Sequence, residues 1–420
     1  MVGFMHVFEL LESNVRFYSR SYPVVFNKSY DCFLEDESGR KYIDFFSGAG
    51  ALNYGHNHPK IKEAIMNYLR EDGVSHSLDM ATGAKKEFLY KFNEIILKPR
   101  EMDYKLQFCG PTGTNAVEAA IKLARKVTGR QDIITFTNAF HGVSLGSLSV
   151  TGSKSKRQAA GVSLNNAIFM PYENYFGAEV DTIQYIDKYL SDSSSGISAP
   201  AAFIVETIQA EGGINVASAN WLKKLQEIAK KYNSLLIIDD IQVGCGRTGK
   251  FFSFEDFNIS PDLICLSKSL SAYGLPLSVV LIKPEHDIWD PGEHNGTFRG
   301  NNLAFIAANE GLNFWQNNKF EDSVSINIKL LEEMLCNITK DANGSIKLKG
   351  RGMIRGLEFH NENAAKKIAA TCFNNGLIIE TAGSKDQVIK FLPPLNIKNK
   401  DLELGVRILK ESIDSILAIY

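Results

Sequence analysis

No part of this chain carries a long run of one charge sign, and 46 Lys and Arg nearly balance 48 Asp and Glu. That balance argues against nucleic acid or an anionic membrane surface as the main partner. No segment approaches the roughly 18–20 consecutive apolar residues that a membrane-spanning helix needs. The N-terminus, "MVGFMHVFELLESNVR", lacks a basic region ahead of an apolar core, and Glu9 and Glu12 interrupt it, so it reads as no secretory signal. Six cysteines (Cys32, Cys109, Cys245, Cys265, Cys336 and Cys372) are scattered without CxxC or metal-type spacing. That pattern points to free thiols in a reducing cytoplasm, with Cys109 and Cys265 as small core residues inside apolar runs. There is no internal repeat and no triphosphate-binding loop of the Walker type.

What is present is length and alternation. A chain of 420 residues is long for a single core, so a large domain plus a smaller one is expected. Between about Phe108 and Val280, short apolar runs alternate with helical patterns. "KLQFC" (105–109), "DIITF" (132–136), "AAFIVE" (201–206), "SLLIID" (234–239) and "DLICLS" (262–267) read as buried strands. "NAVEAAIKLARKVTG" places Val117, Ala120, Ile121, Ala124 and Val127 on one face of a helix that ends at Gly129, and "WLKKLQEIAKKY" (221–232) is a second helix. This rhythm predicts an α/β fold with a mostly parallel sheet covered by helices.

The flanks differ. Residues 30–45 read as a hairpin turning at "EDESGR". Long helical stretches follow Asn302, then "GLIIET" (376–381), "VIKFLPPLNI" (388–397) and a closing helix. The expected organisation is an N-terminal segment, 1–60, contributing to a small domain, a large domain over 61–305, and the rest of the small domain over 306–420. The serine-rich stretch 191–200 reads as a surface loop of the large domain.

Four pieces of the central region carry chemistry. "CGPTGTNAVEAA" (109–120) sets Gly110, Gly113 and Thr114 between a strand end and a helix start, where N–H groups and the helix dipole favour a phosphate; a plain capped helix explains this piece as well. "NAFHG" (138–142) puts Phe140 and His141 after the next strand, suited to stacking on a flat ring, or to a core Phe and a hydrogen-bonded His. "IIDDIQVG" (237–244) ends a buried strand in Asp239 and Asp240, where open α/β sheets bind ligands; the plainer readings are a helix cap or a magnesium site, and the latter would want the triphosphate loop that is not there. "CLSKSLSAYGLPLS" (265–278) ends another strand in Lys268, and a lysine in a half-buried pocket can lose its proton and act as a nucleophile. One ligand unites the four. Pyridoxal phosphate needs a lysine for its Schiff base, an acid at its pyridine nitrogen, an aromatic against its ring and N–H groups at its phosphate. Pairing with the pyridinium would offset the several kcal/mol that burying Asp239 costs.

These motifs resemble the class III (fold-type I) aminotransferases over nearly the whole chain. "IIDDIQVGCGRTGKFFSFE" is similar to the family signature D-E-x-Q-x-G-x-G-R-T-G-x-x-[FW], with Asp240 at the usual Glu. "LSKSL" resembles its Schiff-base lysine segment, "FHG" its ring-stacking segment and "YGHNHPKI" (54–61) its G-H-x-H-P. The resemblance implies that Lys268 holds the cofactor and shuttles the proton, and that Asp239 keeps the ring nitrogen protonated. Gln242 would touch the ring hydroxyl, Phe140 would stack on the ring with His141 beside it, and Gly113 and Thr114 would bind the phosphate. Thr297, in "GTFRG", would reach the phosphate from a neighbouring subunit, which implies a homodimer or larger. Arg299 is matched equally by a structural salt bridge and by a substrate contact.

Substrate expectations come from the same resemblance. "VETIQAEGG" (205–213) matches a segment whose second acid, here Glu211, holds back a carboxylate-binding arginine. The position of that arginine is occupied by Lys390, so either Lys390 binds the donor carboxylate as a point charge or another cation does. "ESNVRFYSRSYP" (12–23), "GPTGTNAVEAAIKLARKVTGR" (110–130) and "PGEHNGTFRGNN" (291–302) resemble the diaminobutyrate-forming branch of the family. That branch implies transfer from L-glutamate to L-aspartate 4-semialdehyde, giving L-2,4-diaminobutyrate and 2-oxoglutarate, as the first step towards ectoine. The alternatives are a family member acting on ornithine, acetylornithine, 4-aminobutyrate or lysine, diaminobutyrate supply for peptide antibiotics or siderophores, and a catalytically silent relative, which should have lost Lys268 or Asp239.

Overall fold

The computed structural model describes residues 6–342, 344–361 and 363–417; the remaining residues of the expected N- and C-terminal segments lie outside it. At its centre is a seven-stranded sheet built from β1 (Lys105–Phe108), β2 (Ile133–Phe136), β3 (Ala167–Met170), β4 (Ala202–Val205), β5 (Leu235–Asp239), β6 (Leu263–Leu266) and β7 (Val279–Ile282), in the order β1-β7-β6-β5-β4-β2-β3. Every pairing is parallel except those of β7, which runs against both β6 and β1. The mostly parallel sheet read from the sequence is therefore observed. Strands β3 and β7 were not among the segments singled out there.

The reason these runs form strands is their burial on both faces. Every residue of β2, β4, β5, β6 and β7 is buried, so each run is continuous in apolar character rather than alternating. The Gly113–Thr128 helix lays Val117, Ala120, Ile121 and Ala124 against the sheet and ends at Gly129 in the left-handed region, φ 68°, as a helix C-terminus commonly does. The Ala219–Lys231 helix, capped by Ser218 through the Trp221 N–H, buries Trp221, Leu222, Leu225 and Ile228. Burying such large side chains stabilises the layer by about 1.5–3 kcal/mol each.

Two four-stranded sheets flank this core. One joins Phe26–Tyr30, Phe33–Asp36 and Lys41–Asp44 to Leu377–Ile378, so both ends of the chain meet in it. The hairpin expected over residues 30–45 is its Phe33–Asp36 and Lys41–Asp44 pair. The other sheet contains Ile346–Arg351, Ile354–Phe359, Val388–Phe391 and Glu380–Ala382. The run "GLIIET", read as one strand, is divided: Leu377–Ile378 pairs with Lys41–Asp44, while Glu380–Ala382 pairs antiparallel with Val388–Phe391. The chain changes sheets at Ile379, which turns Glu380 towards the central sheet's carboxyl edge. Among the described residues no helix is long and apolar enough to cross a membrane.

Candidate active site

Because β1, β2, β4, β5 and β6 share one direction, their C-terminal ends lie along one edge, the place where open α/β sheets bind ligands. A cavity opens there. Gly113, Thr114, Phe140, His141, Glu211, Asp239, Gln242 and Lys268 all line it, with Glu206, Ile208 and Ile241 between them.

Asp239 is the last residue of the central strand β5 and is only 5% exposed. Its Oδ2 lies 2.7 Å from His141 Nδ1, and its Oδ1 accepts from the Ile241 N–H at 3.2 Å. Asp240, next in sequence, does not line the cavity and is buried where the backbone N–H and hydroxyl of Ser253 both donate to it. Burial, partly countered by those bonds, raises Asp240 to about 7. The two adjacent acids thus divide their duties: one faces the cavity and the other ties two loops together.

Lys268 follows β6 with φ 50°, a left-handed conformation that costs a non-glycine residue of order 1 kcal/mol or more. Burial lowers its pKa; Glu211, Glu380 and Asp239 oppose that shift and Lys390 adds to it, leaving the amine below its ordinary value. Glu206, between Phe140 and Asp239, is pushed well up by burial and by the Asp239 charge while accepting the Phe140 N–H at 3.1 Å. Both effects favour its protonated form in the cavity wall.

At the helix end of the cavity, Asn115 Oδ1 accepts from the N–H and hydroxyl of Thr112 and closes the start of the Gly113–Thr128 helix. The N–H groups of its first turn have no partner four residues back. Thr114 Oγ1 is held 2.7 Å from Ser144 Oγ, which donates to Glu118 at 2.6 Å. Gly142, φ 126°, must lack a side chain, because a Cβ there would meet Thr114 Oγ1 at 2.4 Å.

At the opposite end of the cavity, Gln242 Nε2 donates to the Ala49 carbonyl at 2.8 Å and to Glu211 at 3.2 Å. Glu211 accepts from Lys390 Nζ at 2.6 Å, and Lys390 also lies 2.8 Å from Glu380. Burial would raise Glu211, but Lys390 and Lys268 outweigh it and hold the carboxyl at about 2. Burial likewise opposes a charge on Lys390, and the two acids overcome it and raise its pKa. Lys390 is thus a fully buried, charged lysine adjoining the cavity through Glu211.

Thr297 and Arg299 do not line this cavity. The Thr297 carbonyl faces His76 Nε2 at 3.0 Å, and Arg299 reaches Asn295 at 3.2 Å and Asp79 at 4.0 Å. Sequence reasoning passed over Glu206, Glu380 and Tyr18. Tyr18 is near enough to Glu380, Glu211 and Lys390 to feel their charges. An acid closing an apolar run, as in "FIVE" and "LIIE", is the same signal that marked Asp239.

The cavity fits pyridoxal phosphate. The buried Gln242 Oε1 and His141 Nε2 have no hydrogen-bond partner within the described residues. The glycine-lined helix start, the acid at the strand end and the buried amine are the chemical groups that the cofactor's phosphate, ring nitrogen and aldehyde call for.

Comparison with known proteins agrees with this site. The profile of the Aminotransferase class-III family matches residues 17–413. The diaminobutyrate–2-oxoglutarate transaminase of Oceanobacillus iheyensis is 56% identical over 98% of this chain and 97% of its own length. The protein of the same name from Wolinella succinogenes is 54% identical, again over 98% of this chain and 97% of its own. Among solved structures, the ornithine aminotransferase of Toxoplasma gondii superposes with a TM-score of 0.85 at 24% identity, covering 99% of this chain and 96% of that one; at that identity the likeness is one of fold. With the segments that carry Gly113, Phe140, Asp239 and Lys268 gathered around one cavity and a family match over residues 17–413, the chain belongs to the class III aminotransferases.

Proposed function

We propose that this enzyme transfers the amino group of L-glutamate to L-aspartate 4-semialdehyde, giving L-2,4-diaminobutyrate and 2-oxoglutarate. The observation that carries the reading is near-full-length identity of 56% and 54% to two relatives that bear the diaminobutyrate–2-oxoglutarate transaminase name. The buried Lys390 cluster beside the cavity supports a donor with two carboxylates. A role at the first step of ectoine formation, and a cytoplasmic site of action, belong to the same proposal.

When bound, pyridoxal phosphate supplies an aldehyde that carries the amino group between substrates and a ring that takes up electrons from the reacting carbon. The chain's own residues do the rest. Lys268, its pKa lowered by burial, would hold and move the proton on its Nζ at the reacting carbon. Asp239, steadied by His141 and by the Ile241 N–H, presents a fixed carboxylate to a protonated ring nitrogen. Gln242 offers its free Oε1 to the ring hydroxyl, and Phe140 offers its ring face, oriented through the Glu206 bond to its N–H. Gly113 and Thr114 would hold the phosphate. Lys390 would receive a carboxylate of the donor once Glu211 turns aside, and Gln242 provides Glu211 with its alternative partner.

Thr297 is exposed on the outer surface with Phe298 beside it, 67% exposed. In the proposed homodimer this segment completes the phosphate site of the neighbouring subunit, and Arg299 helps to shape it. The large domain over 61–305 carries the cofactor. Incubating the cofactor-loaded protein with L-glutamate and L-aspartate 4-semialdehyde should yield 2,4-diaminobutyrate by mass spectrometry; formation of 2-oxoglutarate only with a different acceptor would overturn the substrate assignment.

A further inference from the structure

Lys390 has a second acidic neighbour whose position differs from that of Glu211. Glu380 stands directly opposite Lys390 across two antiparallel strands, with its Oε1 2.8 Å from the ammonium. Glu211 approaches the same nitrogen from the cavity side. Its side chain is 31% exposed and lines the cavity, whereas that of Glu380 is 9% exposed and does not. A carboxylate arriving from solvent therefore meets Glu211 first. Gln242 already bonds to Glu211 and can keep it. Glu380, on a paired strand, has no such alternative among the described residues.

This arrangement makes up for what a lysine lacks. A guanidinium is a planar fork, while an ammonium is a point charge on a flexible stem. A carboxylate behind it, 2.8 Å away as an ion pair without hydrogen-bond angles, holds that charge in place. It also brings a surplus negative charge, because two acids surround one lysine before a third carboxylate arrives. The groups that face Glu380 are Lys390, Glu211 and Lys268, with Tyr18 and Tyr22 on the outer side. Burial raises Glu380, Lys390 pulls it down and Glu211 pushes it up again, leaving it at about 7.

We propose that Glu380 is a positioning residue that fixes the Lys390 ammonium for the carboxylate of the amino donor, and that it binds a proton as that carboxylate displaces Glu211. The inference rests on the glutamate reading above and adds to it a residue and a proton.

Glutarate, which has the donor's two carboxylates and no amine, is the probe. Its binding to cofactor-loaded protein is followed by calorimetry at pH 6 and pH 8.5, and at pH 7 in two buffers of different ionisation enthalpy. Since the competent, protonated fraction falls across that range, Kd should rise by up to about 30-fold from pH 6 to pH 8.5. At pH 7 each glutarate should take up about half a proton. Glu380→Gln keeps the hydrogen-bonding shape without the charge and should lose both the proton uptake and the pH dependence. Glu380→Ala, with its fold checked by thermal unfolding, should bind glutarate more weakly at pH 6, because Lys390 has lost its anchor. Unchanged proton uptake in Glu380→Gln, or unchanged binding in Glu380→Ala, overturns the proposal and leaves the donor reading intact. No glutarate binding by the unmutated protein at either pH overturns the donor reading, and the proposal with it.

Discussion

Replacing Lys390 by Met removes a charge and keeps nearly the volume. In the native protein this lysine is fully buried against Glu211 and Glu380. A charge-assisted hydrogen bond to the donor carboxylate is worth about 1.5–3 kcal/mol, so its loss should raise the KM for glutamate about 10- to 150-fold. The contact is remote from the reacting carbon, so kcat should fall much less. The KM for L-aspartate 4-semialdehyde should also move less. Stability supplies an independent readout. Native Glu211 is held at about 2, below its ordinary value near 4.5, so its pairing contributes stability that is present above about pH 4.5 and lost as pH falls towards 2. Without Lys390, burial at Glu211 is opposed only by Lys268 and the Gln242 hydrogen bond, and Glu380 loses the cation that pulled it down, so both carboxyls move upwards and the variant pays increasingly for ionising them as pH rises. Lys390→Met should then be destabilised by about 3–5 kcal/mol at pH 8 and by less at pH 5. Initial rates with varied glutamate and urea unfolding at the two pH values measure both effects. A folded variant with an unchanged glutamate KM would remove Lys390 from the substrate site.

Three further perturbations test other parts of the account. Lys268→Ala should fold normally by circular dichroism and lose at least about 10²- to 10⁴-fold in turnover, the range expected for removing a general acid–base group. Gly142→Ala forces a Cβ towards Thr114 in a backbone conformation unfavourable to alanine; a strain of about 1–3 kcal/mol should weaken cofactor affinity about 5- to 150-fold, measured by titrating pyridoxal phosphate into the cofactor-free protein. Asp240 is raised to about 7 in the folded state, so the native protein loses stability through this group as pH climbs from about 4 to 7. Asp240→Asn should shrink the difference in unfolding free energy between pH 5 and pH 8, and an unchanged difference would show that Asp240 is not held protonated.

Much of this site was legible because buried parallel strands are apolar throughout and end abruptly. Asp239 and Lys268 each terminate such a run, and a common strand direction brings them to one edge without further information. Gln242, Phe140 and the Gly113–Thr114 pair follow those ends within a few residues, so they arrive with them. Glu380 stayed hidden for a different reason. Its contact with Lys390 depends on cross-strand register and on the chain leaving one sheet for another at Ile379, and neither is encoded in local periodicity. Asp240 shows the converse. It looked like half of a pair, yet its partner is Ser253, brought close by the loop that carries Gly244, Gly246 and Gly249. Thr297 and Arg299 are legible only as motif positions, since within one chain they face His76, Asn295 and Asp79.

The central claim is the identity of the acceptor, and a competition assay addresses it most directly. The cofactor-loaded enzyme is given L-glutamate with equal concentrations of L-aspartate 4-semialdehyde, L-glutamate 5-semialdehyde and succinate semialdehyde in one vessel, and the amines formed are counted by mass spectrometry. The account expects 2,4-diaminobutyrate to dominate the products. Ornithine or 4-aminobutyrate in excess would contradict it, while leaving the fold, the lysine and the family in place.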